Sequence, residues 1–562
     1  MSMTTIRRLN PERIGLVSLA AAVMAVLALA PTMAAALPRC SELGTNPAYG
    51  LAGNAQISGL SAAVIPVGTG VTVPYCRVDF TLSTESGPSA GYRPGQSEQI
   101  AIRVGLPLSA LDGGSGGLVG AWNGKNRDLG GGGYAGSVGG VTSSTNLRYV
   151  GTSTDTGHNS AVQPGGSFAL NPDQTLNWGQ IRDFARDGIR QQYLWGVRLA
   201  MTYYGVAPTR KYWMGCSTGG RQGHYQAQNF PTAYDGILAG APAFNWDRFI
   251  PAELWPQVVM NQAFGAPIPS AKLTAVTNAA VAACDALDGV TDGILEDPRK
   301  CKYDARSFVC GVSSDPNCLT LAEAEAVNKI WNGPVTGPTA ADPHQGVDRA
   351  WYGLERGAAL GGLAGTPPFS IAVDHFRYWI HQDATFDWHT VTEASFFDDF
   401  VTSIEKFNEV IGTDDDLKAF REGGGKMIVY HGLADQLIMP RGTYNYYNRI
   451  KDSLEDKLQY YRFFPYPNAG HCGGAGLDAE KLFSALVEWV ERGVEPDYLV
   501  AQVSSTRTRK ICKYPDVQVW NRVGSIDDHH SFICQVRKKD DKELLEQDKI
   551  DKEFETETKV GK

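Results

Sequence analysis

A basic excess is absent: 51 lysines and arginines face 60 aspartates and glutamates, a formal charge of −9. Such a chain offers no cationic face to release counterions from a nucleic-acid backbone, and nucleic acid is not an expected partner. Beyond residue 30 the sequence also lacks any apolar run long enough to span a bilayer, which takes roughly 20 residues. No internal repeat is visible, which excludes solenoids and propellers. Charged residues make up 20% against 43% hydrophobic, the balance of a folded chain rather than a disordered one. At 562 residues the chain exceeds what one core serves, so a large domain with an insertion is expected.

The one long apolar run, Ile14 to Ala30, is preceded by Arg7, Arg8 and Arg13 and followed by Pro31 and Ala34-Ala35-Ala36. Residues 1–36 therefore read as an export leader with a small-residue cleavage site rather than as an anchor. The protein is expected to be secreted or periplasmic, with no stable membrane association after cleavage. Export makes the ten cysteines readable as disulfides, because thiols pair in an oxidising compartment. Local spacing suggests Cys40 with Cys76, Cys284 with Cys301, Cys310 with Cys318 and Cys512 with Cys534, which leaves Cys216 and Cys472.

Cys216 lies inside the most informative stretch, Gly215-Cys216-Ser217-Thr218-Gly219. It fits G-x-S-x-G between a strand-like end, Lys211 to Met214, and a helix-like segment, Arg221 to Phe230. A sharp strand-to-helix turn lifts a serine hydroxyl clear of the sheet, and the flanking glycines leave room for backbone and substrate. Far downstream stands His471-Cys472. A Cys216–Cys472 disulfide would hold Cα atoms roughly 5.5 Å apart, placing Ser217 and His471 within about 13 Å of each other. Side chains can bridge that gap.

Around this motif the pattern alternates strand and helix. Gln99 to Leu106 reads as a strand, Trp178 to Tyr204 as a long helix, and Asp235 to Ala239 as a strand. Lys426 to His431 is a buried strand, Thr443 to Leu454 a helix, Leu458 to Phe464 a strand, and Ala479 to Gly493 an amphipathic helix. This is the unit of a doubly wound parallel sheet. Between Phe244 and Gly424 the alternation gives way to Pro, Gly, Asp and aromatics. The expected architecture is an α/β-hydrolase fold with a large inserted lid. The catalytic domain takes residues 37–242 and 425–534, the lid 243–424, and a charged tail 535–562.

A serine nucleophile needs a histidine base and a carboxylate to orient it. Asp435 follows the strand ending at His431, and His471 follows the next strand, the order Ser, Asp, His of α/β-hydrolases. His431 reads as a structural strand-end residue. His158, in Asp155-Thr156-Gly157-His158, is the rival base, but it precedes the serine. Thr218 and the Gly130-Gly131-Gly132-Gly133 loop, with Gly132 or Gly133 as donor, are the expected oxyanion hole. In the lid, Asp285, Asp288 and Asp292 fall within eight residues beside Cys284 and supply hard oxygens suited to calcium.

These residues resemble the tannase and feruloyl esterase family, which also includes mono(2-hydroxyethyl) terephthalate hydrolase. The nucleophile segment Gly215 to Gly223, the downstream Asp435 and the His471-Cys472 pair carry the resemblance, which runs from about Cys40 to Cys534. It implies an acyl-enzyme on Ser217 and a disulfide joining Cys216 to Cys472. It also implies a structural lid Ca2+ held by the Asp285, Asp288 and Asp292 side chains and the Val290 and Ile294 carbonyls. The implied substrate is a small ester of an aromatic acid: galloyl, feruloyl or other hydroxycinnamoyl, or a related group. The flat side chains of His375 to Trp379 and Phe386 to Trp388 could sandwich its ring. The charged tail departs from the family pattern. A serine peptidase on the same fold, or a silent hydrolase fold used for binding, are the alternatives.

Overall fold

Parallel strands covered on both faces need near-continuous apolar runs, and the middle of this chain supplies them. The computed structural model describes residues 36–85, 97–336, 348–450 and 452–536. The leader, except Ala36, and the tail beyond Val536 lie outside the described residues. From Pro38 onward the chain forms one unit, built on a nine-stranded sheet.

Its strands are β1 (Ile57–Ile65), β2 (Tyr75–Glu85), β3 (Ser97–Pro107), β4 (Lys125–Leu129), β5 (Val150–Thr154), β6 (Arg210–Cys216), β7 (Gly236–Gly240), β8 (Lys426–Gly432) and β9 (Tyr461–Tyr466). The order across the sheet is β1-β2-β3-β5-β4-β6-β7-β8-β9. From β5 to β9 every pairing is parallel, while β1, β2 and β3 form an antiparallel edge on β5. β5 and β7 are buried at every position and β8 at all but its first. No position of β1 is buried, and it closes the edge. The sheet is an α/β-hydrolase-type sheet with an antiparallel flank that the alternation of strand and helix alone did not disclose.

Helix α1 (Gly188–Tyr204) packs on β3, β4 and β5, α2 (Thr218–Asn229) on β6 and β7, and a helix near the C-terminus, Ala479–Arg492, on β7 and β8. The stretch expected as one helix from Trp178 is interrupted: Asp183–Asp187 forms a π turn between Trp178–Arg182 and α1. Arg221 explains how it persists, since its guanidinium donates to the Phe184 and Ala185 carbonyls in that turn. The helix expected over Thr443 to Leu454 runs instead over Pro440–Arg449. A new helix starts at Leu454 because Ser453 caps it, accepting from the Asp456 amide. The strand expected from Leu458 begins at Tyr461 for the same reason.

The segment between β7 and β8, expected as a lid, is largely helical. It contains α3 (Trp246–Phe264), α4 (Ser270–Cys284), α5 (Leu321–Asn332) and α6 (Glu393–Ile411). Helices α7 (Pro440–Arg449) and α8 (Ala479–Arg492) follow. Pro251 and Pro256 lie inside α3. Each costs about 3 kcal/mol in a helix interior, and burial of the whole run from Trp246 to Met260 overrides that cost. The segment shares one core with Tyr134, Phe168, Ile181 and Phe184 of the preceding part, and within it Trp255 meets Phe396 and Phe397. Beyond α8, two hairpins follow: Tyr498–Gln502 with Thr508–Cys512, and Asp516–Trp520 with Phe532–Val536. Five disulfides join all ten cysteines in the pairs expected from spacing, with Cys216 bonded to Cys472. Among the described residues no helix is long and apolar enough to cross a membrane.

Candidate active site

Strand β6 delivers Ser217 to a tight turn before α2, with backbone angles φ 61° and ψ −123°. A side-chain-bearing residue seldom adopts that conformation, and its cost is of order 1–3 kcal/mol. The turn is pinned: the Ser217 amide donates to the Gly240 carbonyl at 2.9 Å, and its own carbonyl accepts from Gly220, Arg221 and Ala243. Gly215 is required, because a Cβ there would lie 2.7 Å from the backbone of Gly219.

The Cys216–Cys472 bond, with Cα atoms 6.0 Å apart, ties this turn to the loop after β9. There His471 Nδ1 lies 2.9 Å from Asp435 Oδ2, while its backbone amide donates to Gln436 Oε1. Asp435, in the loop after β8, is fully buried. Its Oδ1 accepts from the Leu437 and Ile438 amides at 2.9 and 3.0 Å, and its Oδ2 also faces His431 Nε2 at 3.2 Å. Burial alone would push this carboxyl up. The hydrogen bonds from His431 and His471 outweigh burial and hold it well below the usual carboxylate range. Asp435 is therefore a fixed anion, and Nδ1 of His471 must carry the proton facing it.

Next to the turn runs the glycine loop. Gly130 gives its amide to the Met214 carbonyl and Gly131 to Gln222 Oε1, so both are committed. Gly132 and Gly133 have no such acceptor among the described residues, and the Thr218 hydroxyl donates to the Gly133 carbonyl at 2.6 Å. Beyond the loop an aromatic cluster gathers: Tyr134 lies within 6 Å, ring to ring, of Phe168, Phe184, Trp246 and Trp379. Of the aromatic stretch singled out in the sequence, Trp379 joins this cluster. Phe386 instead stacks on His381, and Trp388 on His389.

His158 is not hydrogen-bonded to the Ser217, Asp435 and His471 group. It is buried against Phe168, and burial pushes it down to about 4. His431 is more than a strand-end residue, since it shares Asp435 with His471. Sequence reading passed it over, although the spacing of His431 and Asp435 in Tyr-His-Gly-Leu-Ala-Asp was the available signal. Glu253 on α3 was also missed. It is buried, its Oε2 has no partner among the described residues, and burial together with the charge of Asp435 holds it well above its usual range.

The acidic loop after α4 is self-bonded. Asp285 Oδ1 accepts from the Asp292 and Gly293 amides, Asp288 Oδ1 from Val290, and Asp292 Oδ1 from Ile294. Asp292 Oδ2 faces Arg509 Nη1 at 2.6 Å, and Arg509 also reaches Glu296. Among the described residues, only Asp528, His529 and His530 set three metal-ligating side chains within 4.8 Å of one another. The donor chemistry of the Asp285 loop nevertheless suits a hard divalent cation. Its donors are all oxygen, and burial, with the neighbouring charge of Asp292, holds Asp288 above its ordinary range, a tension that a cation relieves.

The family model for tannase and feruloyl esterase matches residues 118–535. A probable feruloyl esterase of Arthroderma benhamiae is 32% identical over 489 residues, covering 82% of this chain and 86% of that protein. Feruloyl esterase B from Aspergillus oryzae superposes with a TM-score of 0.70 at 25% identity, over 86% of this chain and 97% of that one. A tannin acyl hydrolase from Aspergillus niger has a TM-score of 0.73 at 22% identity, over 92% and 98% respectively, and speaks for the fold.

Proposed function

From the premise that this chain belongs to the tannase and feruloyl esterase family, and is thus a carboxylic ester hydrolase, we propose that it is a secreted serine esterase for aromatic-acid esters. Ser217 Oγ attacks the ester carbonyl while His471 Nε2 takes its proton. The carbonyl oxygen, now an anion, is received by the amides of Thr218 and of Gly132 or Gly133. His471 then protonates the departing alcohol, leaving an acyl group on Ser217. Water, deprotonated by the same histidine, releases the acid. Asp435 stays ionised throughout and stabilises the imidazolium.

One observation carries this reading: the 2.9 Å bond from His471 Nδ1 to Asp435 sits on a loop that the Cys216–Cys472 bridge ties to the Ser217 turn. The feruloyl esterase names of the relatives support an aromatic acyl group, whereas the rings around Tyr134 are buried and packed on one another. The test is a fluorophosphonate label mapped by peptide mass, together with kcat/KM on methyl ferulate, methyl gallate, mono(2-hydroxyethyl) terephthalate and a peptide amide. Labelling of Ser217 with an aromatic ester preferred is expected. Labelling elsewhere would overturn the nucleophile, and preference for the amide would turn the reading toward a peptidase.

The loop from Asp285 to Ile294 is proposed to hold Ca2+, through the side chains of Asp285, Asp288 and Asp292 and the carbonyls of Val290 and Ile294. When bound, the ion would supply charge neutralisation and cross-linking within the insertion rather than chemistry on substrate. Chelation should then lower the melting temperature by about 2 °C or more. An Asp288→Ala variant should no longer respond to the chelator. An unchanged melting curve in wild type, with no calcium found by elemental analysis, refutes the site.

A further inference from the structure

We infer that His431 is a positioning residue of the ester-cleaving site, held in one tautomer by Thr443 so that it steers and tempers the Asp435 carboxylate. This rests on the catalytic reading of Ser217, Asp435 and His471 given above. His431 is fully buried at the end of β8. Its Nε2 faces two acceptors, Asp435 Oδ2 at 3.2 Å and the Ile438 carbonyl at 3.1 Å, while its Nδ1 lies 2.8 Å from the Thr443 hydroxyl. A ring nitrogen between two oxygens that can only accept must carry hydrogen. Nδ1 of a neutral imidazole is then an acceptor, and Thr443, whose hydroxyl can donate, satisfies it.

Thr443 on α7, His431 on β8, Asp435 in the following loop and His471 after β9 thus form one hydrogen-bonded chain in which both histidines donate to the carboxylate between them. The two histidines meet the same carboxylate oxygen, Oδ2, whereas Oδ1 is occupied by backbone amides. Whatever charge His431 draws from Oδ2 is charge that His471 does not feel. Glu253 also feels the charge of Asp435, and burial, with that charge, holds it well above its usual range.

Three full-length variants test this: His431→Phe, His431→Gln and Thr443→Val. Each is measured for kcat and KM on 4-nitrophenyl acetate across pH 5 to 9, for the rate of fluorophosphonate labelling, and for melting temperature. Loss of the 431 donor should lower kcat by about tenfold, the scale seen when the partner of a catalytic ligand is removed, with KM within about twofold. It should also move the acid limb of the kcat profile upward, because an Asp435 freed of one donor attracts a proton to His471 more strongly. Gln, whose amide can place an N–H where Nε2 stood, should restore most of kcat and the limb. Thr443→Val, which takes away the hydroxyl that holds the ring in this tautomer, should move kcat and the limb in the same direction as His431→Phe, by less.

A His431→Phe variant that melts lower but keeps the native limb and kcat overturns the proposal and leaves the residue merely structural. Should that variant not fold, an unchanged profile in Thr443→Val overturns it equally. Turnover by a Ser217→Ala control would instead sink the catalytic reading, so the two failures are told apart.

Discussion

Ser217 stands half-buried at the end of the interior strand β6, its backbone held at a positive φ of 61°, a conformation that glycine would occupy without strain. Stability and activity therefore pull against each other at this one position. Ser217→Gly should abolish turnover, with kcat down by about 10⁴-fold or more, and yet be more stable than wild type by about 1 kcal/mol. A Ser217→Gly protein that melts below wild type would show that the turn stores no strain. The residues themselves were legible from sequence for a plain reason: a nucleophile turn is a local motif, and the order Ser, Asp, His is a property of the chain. Glu253 was not legible, because its part depends on which loop α3 folds beside, whereas His431 left a signal only in its spacing of four residues from Asp435.

At the scale of elements, the loop after β9 is rich in glycine: Gly470, Gly473 and Gly474 surround His471, which is held by Asp435 and Gln436, while the Ala434 amide donates to Ala469 and Gly470 to Gly473. Replacing Cys216 and Cys472 together by alanine should leave a folded protein whose histidine drifts. A displacement near 1 Å costs on the order of 10²-fold in rate, and kcat is expected to fall while KM stays put. Full activity in the double variant would show that the bridge only stabilises. Strands β6, β7 and β8 and helix α8 could be read from buried apolar runs and periodicity. The breaks at Asp183 and Ile450 could not, since one is stabilised by the distant Arg221 and the other by a cap that restarts the helix at Ser453. The antiparallel edge was hidden because β1 has no buried position and β2 buries alternate side chains, so neither carries a continuous apolar run.

Across the whole molecule, buried ionisable groups pull the pH dependence of stability in two directions. Burial pushes His158 and His224 down to about 4 and His375 down to about 3. The unfolded chain takes up those protons below about pH 6.5 while the folded one does not, so stability falls as acid is added. Burial pushes Asp128 up to about 7 and Asp155 up to about 6, and lifts Glu253 well above its usual range. Here the folded chain keeps protons that the unfolded one releases above about pH 4, so stability falls as pH rises through the same window. The two sets oppose each other, and a broad plateau between about pH 4.5 and 6.5 is expected. Glu253→Gln removes one member of the second set. Its stability relative to wild type should rise with pH by up to about 1.4 kcal/mol per unit in that window, as read from denaturant unfolding. A constant difference between the two proteins would mean that Glu253 is ionised when folded.

The bridge between Cys216 and Cys472 spans 256 positions. Nearly the whole catalytic sheet must be synthesised before the second thiol exists, and the two sulfurs must then meet an oxidant before they join. Chain still inside a reducing cytosol has the serine turn and the histidine loop as separate, unbolted parts. Under the proposed export, the bridge would close, and full turnover would arise, only after the chain has left that cytosol.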